Sequence, residues 1–241
     1  MTTKKLTSEE IDYLFTFVEQ RDVKYYDVQM ELVDHFATAI EQKWEIEPLL
    51  SFEEALWKEY RQFDRNDFPQ IILEKEETLR KKYRKIERRY IIEFFTLPKI
   101  VATSLVTILI YQIFQLFENY FRVVSWIVLA DILLVGLFSF LVYPRIFSVA
   151  LKENKSFLLL EHLKSRRNYF MQVGRLPSSL LMFLFFLNKD IHFTFIENPA
   201  FKIFVAFLGS MSVVYFIATG IYVPSRIKDD FVREYPQFLK A

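Results

Sequence analysis

A basic stretch that leads into an uncharged apolar segment constrains the fold of this chain more than any other feature. No charged residue occurs between positions 100 and 117, and seven basic residues stand shortly before them: Arg80, Lys81, Lys82, Arg84, Lys85, Arg88 and Arg89. About 20 apolar residues suffice for a helix to cross a bilayer, and cytoplasmic flanks are rich in lysine and arginine. The pattern therefore predicts a helix that enters a membrane from its cytoplasmic side, with the seven basic side chains at the lipid headgroups.

Three further apolar runs predict that the chain crosses the membrane four times. They cover residues 123–143, 176–188 and 203–225, and the first predicted span covers 97–117. The run at 176–188 is the shortest and reaches a sufficient length only if it continues to residue 196. The predicted fold class is therefore all-α, with a small helical head before two transmembrane hairpins at 97–143 and 176–225.

The distribution of positive charge predicts the orientation of these spans. Lysine and arginine are concentrated in residues 144–175 and in the tail 226–241, whereas residues 118–122 and 189–202 contain only three. Because basic residues accumulate in cytoplasmic loops, we expect a multi-pass protein of the cytoplasmic (inner) membrane with both termini in the cytoplasm. We expect residues 144–175, which mix apolar side chains with lysines, to form an amphipathic segment on the inner leaflet.

Landmarks in the two predicted hairpins recur in the same order about 79 positions apart. The matching features are Arg88-Arg89 and Arg166-Arg167, Leu97-Pro98 and Leu176-Pro177, Glu118-Asn119 and Glu197-Asn198, and Tyr143 and Tyr222. We interpret this order as a duplicated two-helix hairpin whose copies are related by an axis along the membrane normal, since both enter from the same side. The alternative is that arginines, prolines and polar turns recur near the ends of any membrane hairpin.

Two charged residues fall at membrane depth in this arrangement. Asp131 is the only charge in the second run, and the repeat places Lys189 inside the third span. Charges within a bilayer are costly and tend to pair, so one interpretation is that Asp131 and Lys189 face each other in the bundle. The other, which we favour, ends the third span at residue 188 and leaves Asp131 hydrogen-bonded to Thr103, Ser104 or Thr107.

Residues 1–68 predict a three-helix head on the cytoplasmic side. Thr7 with Glu10, and Ser51 with Glu54, form capping boxes that mark two helix starts, and apolar residues recur at helical spacing. Residues 1–79 contain nine basic and nineteen acidic residues, a net charge of −10. A basic connecting helix is predicted at 69–96. Its apolar stripe could dock on the head, pair with a second copy or lie on lipid, and we favour docking.

The second predicted helix carries a small polar group, Glu31, Asp34 and His35. A carboxylate one turn before a histidine could form a metal or proton site. This group contains a single histidine, and the chain has no cysteine, so it makes a poor metal site. Structural zinc usually takes four nitrogen or sulfur ligands. We favour a structural role in which Glu31 orients the His35 imidazole, and we expect the group to contribute to a partner-binding surface. No metal or cofactor is expected.

The head resembles a known domain family. The run Tyr25-Tyr-Asp-Val-Gln-Met-Glu31-Leu-Val-Asp34-His35, followed by Ala39-Ile40-Glu41 and Ser51-Phe-Glu-Glu-Ala55-Leu56, is similar to the HAAS domain, the HTH-associated α-helical signalling domain. The similarity covers residues 6 to about 75, and the chain also resembles uncharacterised multi-pass proteins of the Bacteroidetes. This resemblance implies a signalling module fused to membrane helices, often encoded beside PadR-like regulators, and it implies no catalytic residues.

The sequence contains no nucleotide-binding, metalloprotease or serine-hydrolase motif, so we do not expect an enzyme. The leading prediction is a non-catalytic signalling or regulatory membrane protein that contacts membrane lipids and binds a protein partner through its head. Self-association into a homo-oligomer stays open. Nucleic acid is not expected as a partner, because the basic stretch lies next to a span. The alternative function is a small oligomeric transporter or channel subunit that uses Asp131 and Lys189.

Overall fold

The computed structural model describes residues 4–62, 67–116, 120–153, 155–173 and 198–240. Within these ranges the chain is helical and contains no strand, which confirms the all-α fold class. The α-helices are α1 (Ser8–Glu19), α2 (Tyr26–Ile46), α3 (Phe52–Tyr60), α4 (Asp67–Glu93), α5 (Lys99–Gln115), α6 (Tyr120–Leu137), α7 (Tyr143–Phe147), α8 (Leu158–Val173), α9 (Pro199–Phe216) and α10 (Val223–Glu234). Two π-helical segments, Phe138–Val142 and Ile217–Tyr222, and a 3₁₀ turn at Pro236–Phe238 complete the described elements.

The chain divides into two compact units. The first, called the head unit here, comprises Met1–Lys81, Leu151–His162 and Lys240; the second, called the apolar unit, comprises Lys82–Ala150, Leu163–Leu239 and Ala241. The head unit therefore contains more than the predicted three helices, since it includes the first part of α4 and a segment that begins near residue 151. That segment belongs to the residues that the sequence assigns to an amphipathic stretch.

Local sequence signals explain where the head helices begin. Thr7 caps α1 and Ser51 caps α3, and each accepts the backbone N–H of a glutamate whose side chain bonds back to the cap. Both predicted capping boxes are confirmed. Helices α1, α2, α3, α4 and α8 each supply apolar residues to a single core. The core includes Leu14, Val18, Phe36, Ile40, Leu56, Phe68 and Leu158. The apolar stripe predicted on the connecting helix includes Ile72 and Leu79 of α4. Both side chains pack against this core, as docking on the head would require.

The apolar unit is organised around the contact between α5 and α9. These two helices pack along each other, whereas α5 makes a smaller contact with α6. Thr107 and Ser210 form a hydroxyl–hydroxyl hydrogen bond of 2.9 Å between them. Farther along, the rings of Phe138, Phe170 and Phe216 meet edge to face, with centroids 5.1 to 5.8 Å apart.

Two described helices are long and apolar enough to cross a membrane, judged by length and composition. They are Leu129–Phe147 and Pro199–Glu234, which match the second and fourth predicted runs. The helix Lys99–Gln115, in the first predicted run, is apolar but shorter. The third predicted run, 176–188 with its extension to 196, lies outside the described residues.

The bounds of the elements repeat along the chain at the spacing of the sequence landmarks. Helix α9 (Pro199–Phe216) begins and ends 79 positions after α6 (Tyr120–Leu137), and the two π-helical segments begin at Phe138 and Ile217. Each π-helical segment leads into an α-helix that has a proline in its first two residues. The order of helix, π-helical segment and proline-led helix therefore occurs twice, once in each predicted hairpin.

Candidate functional site

The three polar residues predicted for the partner-binding surface lie on α2 and are exposed. Glu31 forms an ion pair with Lys75 of α4. His35 lies with Nε2 3.7 Å from Oε1 of Glu59 on α3, and Asp34 lies on the same exposed side of the helix. The structure thus keeps Glu31, Asp34 and His35 at one surface of the head unit but directs Glu31 and His35 toward different helices.

Glu59 is the buried centre of a small ionic network beneath this surface. Its side chain is about one tenth exposed, accepts a hydrogen bond from Lys43, and also accepts one from Gln62 at 3.1 Å. Glu59 is not predictable from the sequence, because a glutamate in the middle of a charged helix gives no sign of burial. Lys43 and Gln62 hold the Glu59 carboxylate in place, and this carboxylate can in turn orient the His35 ring. The network therefore favours a structural role for His35 over a metal or proton site.

A second buried acid, Asp27 at the start of α2, binds the segment that enters the head unit from residues 151–162. Its carboxylate accepts the backbone N–H of Leu158 at 2.9 Å and of Leu159 at 3.3 Å, the first two residues of α8. The first N–H groups of a helix have no partner within the helix, and they carry the positive end of its dipole. Asp27 therefore acts as an N-terminal cap for a helix that lies 131 residues away in sequence.

Neighbouring groups reinforce the contact that Asp27 makes. The backbone N–H of Tyr26 donates to the carbonyl of Ser156 at 2.7 Å, and the Tyr26 ring meets Phe157 edge to face at 5.8 Å. The ammonium group of Lys155 lies 3.9 Å from the centroid of the Tyr26 ring. These contacts fix residues 155–159 against the start of α2.

The environment of Asp27 acts on its pKa in two opposing directions. Burial raises the pKa of the carboxyl above its ordinary value of 3.8, while the backbone N–H groups of Leu158 and Leu159 and the charge of Lys75 oppose the rise. Burial has the larger effect, so the pKa of Asp27 is raised. The position of Asp27 in the first turn of α2 is the only sequence signal for it, and that signal does not reveal a distant partner.

The seven residues of α4 that the sequence predicts at the lipid headgroups are all exposed, but they differ in their surroundings. Three of them lie beside carboxylates: Arg80 pairs with Glu76 at 2.7 Å, Lys81 with Glu77 at 2.8 Å and Lys82 with Asp230 at 2.8 Å. The remaining four are Arg84, Lys85, Arg88 and Arg89. The predicted headgroup-binding residues therefore form two groups, one compensated by acids and one uncompensated.

The opposite face of α4 is buried in the apolar unit through polar contacts. Glu87 is 5% exposed and pairs with the 8%-exposed Arg166 of α8 at 2.7 Å. The Tyr83 hydroxyl donates to Asp230 at 2.8 Å, and the ring of Tyr90 stacks on Tyr222 at a centroid distance of 4.0 Å. In the sequence Glu87 is one acid within a basic stretch, and nothing near it indicates a buried partner 79 residues away.

The predicted intramembrane residues are only partly within the described region. Asp131 is half-buried on α6, and Lys189 lies outside the described residues. Of the hydroxyls proposed as alternatives, Thr103 donates to the carbonyl of Lys99 at 3.1 Å, and Thr107 donates to the carbonyl of Thr103 at 2.9 Å. The choice between the two arrangements of Asp131 stays a prediction.

Comparison with known proteins gives no relative from which a role could be transferred. No protein-family profile, curated protein or solved structure matches the chain. Among the residues that the structure describes, no group of three or more histidine, cysteine, aspartate or glutamate side chains is placed to hold a metal ion.

Proposed function

We propose that this chain is a non-catalytic membrane protein that crosses the bilayer four times, keeps both termini in the cytoplasm, and binds a protein partner through its head unit. The observation that carries the membrane assignment is the exposure of large aliphatic side chains on α5 and α6. Leu105, Leu109, Leu133 and Leu134 are each more than half exposed. Exposed apolar surface of this extent is unfavourable in water and ordinary against lipid.

The four-crossing arrangement draws its support from the internal repeat. The coincident bounds of α6 and α9, and the two π-helical segments that follow them, favour a duplicated hairpin over a chance recurrence of prolines and arginines. In a duplicated chain the counterpart of α5 (Lys99–Gln115) falls at residues 178–194, which lie within the third predicted run when its extension to residue 196 is included. The distribution of basic residues then favours cytoplasmic termini.

The partner-binding role draws its support from the composition and exposed surface of the head. Residues 1–79 carry a net charge of −10, and the head is similar to a signalling domain that is found on membrane helices. Tyr13 and Trp57 are nearly half exposed, although both rings lie near Phe17. Tyrosine and tryptophan are enriched at protein–protein interfaces relative to the rest of the surface, so these two exposed rings favour a binding role.

Site-specific photo-crosslinking in cells tests this role with the full chain. The full chain is required because Leu158 belongs to the core of the head unit, so a fragment that ends at residue 79 lacks part of its core. A photoreactive residue at Asp34, His35 or Trp57 should give a discrete protein adduct, and the same residue at Lys202 should not. If the adducts at the head positions were no stronger than those at Lys202, partner binding by the head would be rejected.

A second function, a small oligomeric transporter or channel subunit, is favoured by one observation. Asp131 is a half-buried acid on an apolar helix, and charges in such positions often mark an ion or substrate pathway. Under this proposal Asp131→Asn should abolish flux through proteoliposomes while the protein stays folded. Ser210→Ala, a change at the equivalent position of the second hairpin, provides the matched control. Equal flux in Asp131→Asn and the wild type would reject transport.

A further inference from the structure

The last four turns of α4 present two chemically different faces. Tyr83 and Glu87 are buried in the apolar unit, and Tyr90 is half-buried on the same side. Residues four apart lie one above the other on a helix, so Arg84 lies in line with Arg88, and Lys85 with Arg89. All four point away from the buried face and are exposed.

This exposed face carries charge that the rest of the described chain does not neutralise. Arg80, Lys81 and Lys82 have Glu76, Glu77 and Asp230 beside them, and Glu87 is engaged by Arg166 on the buried face. In the ranges that the structure describes, no carboxylate oxygen lies within 4.0 Å of Arg84, Lys85, Arg88 or Arg89. Four adjacent positive charges therefore face outward without such compensation, and a surface of this kind attracts anions.

The residues that follow these four charges identify the kind of anion. Ile92 is 50% exposed, Phe95 49% and Leu97 78%, and α5 then exposes a succession of aliphatic side chains. Charge, then exposed aromatic and aliphatic residues, then an apolar helix is the order of headgroup, interface and hydrocarbon in a bilayer. A nucleic acid or a soluble anion would match the charges but would leave Phe95, Leu97 and α5 without a partner.

We propose that Arg84, Lys85, Arg88 and Arg89 form a binding site for the phosphate-bearing headgroups of anionic phospholipids. The site rests on the membrane placement in the proposed function and narrows the predicted seven headgroup-binding residues to four. Arg80, Lys81 and Lys82 contribute less because acids beside them already neutralise their charge. The guanidinium groups of the three arginines suit phosphate oxygens, since they can donate two parallel hydrogen bonds.

The unfolding temperature of the full chain in neutral detergent, with added lipid, tests the site. A ligand that binds only the folded protein raises this temperature, so phosphatidylglycerol should raise it more than phosphatidylcholine does. The variant Arg84→Gln/Lys85→Gln/Arg88→Gln/Arg89→Gln should lose most of the additional shift. Moderate salt should reduce the shift in the wild type, because exposed charges are screened.

Two matched variants distinguish a site from general attraction. Lys5→Gln/Lys24→Gln/Lys58→Gln/Arg61→Gln removes the same charge from exposed positions of the head unit and should keep the wild-type shift. Arg84→Lys/Arg88→Lys/Arg89→Lys preserves the charge and should keep most of it, which also shows that these positions tolerate substitution. The site would be overturned if phosphatidylglycerol raised the unfolding temperature of the quadruple glutamine variant of α4 as much as that of the wild type. It would also be overturned if the head variant lost as much of this rise as the α4 variant.

Other anions and a flotation experiment complete the test. Inorganic phosphate alone and duplex DNA should raise the unfolding temperature less than phosphatidylglycerol, and a larger shift with DNA would overturn a lipid site in favour of nucleic acid. Retention on vesicles of pure phosphatidylcholine after an alkaline wash measures membrane integration separately. Loss of retention would reject the membrane placement itself, whereas retention without a preference for phosphatidylglycerol would reject only the headgroup site.

Discussion

At Gly220, the lack of a side chain allows an aromatic ring to lie directly against the backbone. An ideal Cβ at this position would lie 2.7 Å from Cε2 of Phe170, whereas a Cβ at Gly136 would have nothing within 4 Å. Phe170 is fully buried and holds Phe138 and Phe216 at its edges. Its ring has little freedom to move away.

We therefore expect Gly220→Ala to destabilise the protein by about 1–3 kcal/mol, the usual range for overpacking a core. Gly136→Ala is the matched control and should cause no loss, because the added methyl group meets open space. Thermal unfolding in detergent measures both. Combining Gly220→Ala with Phe170→Leu should recover part of the loss, and equal stabilities of the two alanine variants would contradict the packing seen at Gly220.

Asp27 gives a prediction about pH because its carboxyl has a raised pKa. Between the unfolded value near 3.8 and the higher folded value, the folded protein binds more protons than the unfolded chain. Stability falls with rising pH wherever this is so. The stability of the wild type relative to Asp27→Asn should therefore decrease as the pH rises from below 4 and become constant once Asp27 is ionised in the folded protein. Denaturant unfolding at a series of pH values measures the difference.

The opposite slope would show that the two backbone N–H groups influence Asp27 more than burial does. If the pKa of Asp27 were lowered, the stability of the wild type relative to that of Asp27→Asn would increase as the pH rises.

Removing the acceptor altogether tests the capping role of Asp27. Asp27→Ala leaves the buried N–H groups of Leu158 and Leu159 without their acceptor, which we expect to reduce stability by about 1–3 kcal/mol. Amide hydrogen exchange at Leu158 and Leu159 should accelerate in this variant. Asp34→Ala, which alters an exposed aspartate of the same helix, should leave that exchange unchanged. Similar exchange rates in Asp27→Ala and the wild type would reject the cap.

At the scale of elements, one ion pair joins α4 to α8 in the apolar unit. Glu87 and Arg166 are both almost fully buried, so removal of either partner leaves an uncompensated charge. We expect Arg166→Met to lower stability by about 3–5 kcal/mol, and Glu87→Met/Arg166→Met to recover most of the loss, because well-packed apolar residues often replace a buried pair at little cost. Chemical unfolding of both single variants and the double variant measures the coupling. Additive losses would show that the two side chains act independently.

The elements that the sequence predicts well are those with local signals. Thr7 with Glu10 and Ser51 with Glu54 cap helices that begin directly after Thr7 and Ser51, and hydrophobic spacing marks the buried sides of α1 to α4. Asp27 and Glu87 were missed because their partners lie 131 and 79 residues away. Their sequence neighbours show only an acid in a first turn and an acid within a basic stretch. The π-helical segments were also missed, because uncharged, largely apolar stretches such as 138–142 have no periodicity that reveals a change in helical pitch.

For the whole molecule, the proposed topology can be mapped directly because the native chain has no cysteine. Single cysteines at Lys4, Lys155 and Lys240 should react with a membrane-impermeant reagent only after the cytoplasmic side is exposed. A cysteine at Asn198 should react in intact cells. Reaction of Lys4→Cys and Lys155→Cys from opposite sides would refute four crossings with the head in the cytoplasm, and a cysteine at Arg145 serves as an additional cytoplasmic marker.

The buried pair of Glu87 and Arg166 also constrains how α4 and α8 lie along each other. Apolar side chains alone would allow one helix to slide past the other, because they pack without fixed partners. An acid and a base that are both almost fully buried do not allow this, since a displacement by one turn would leave two charges without partners away from water. The pair therefore fixes the register of the two helices.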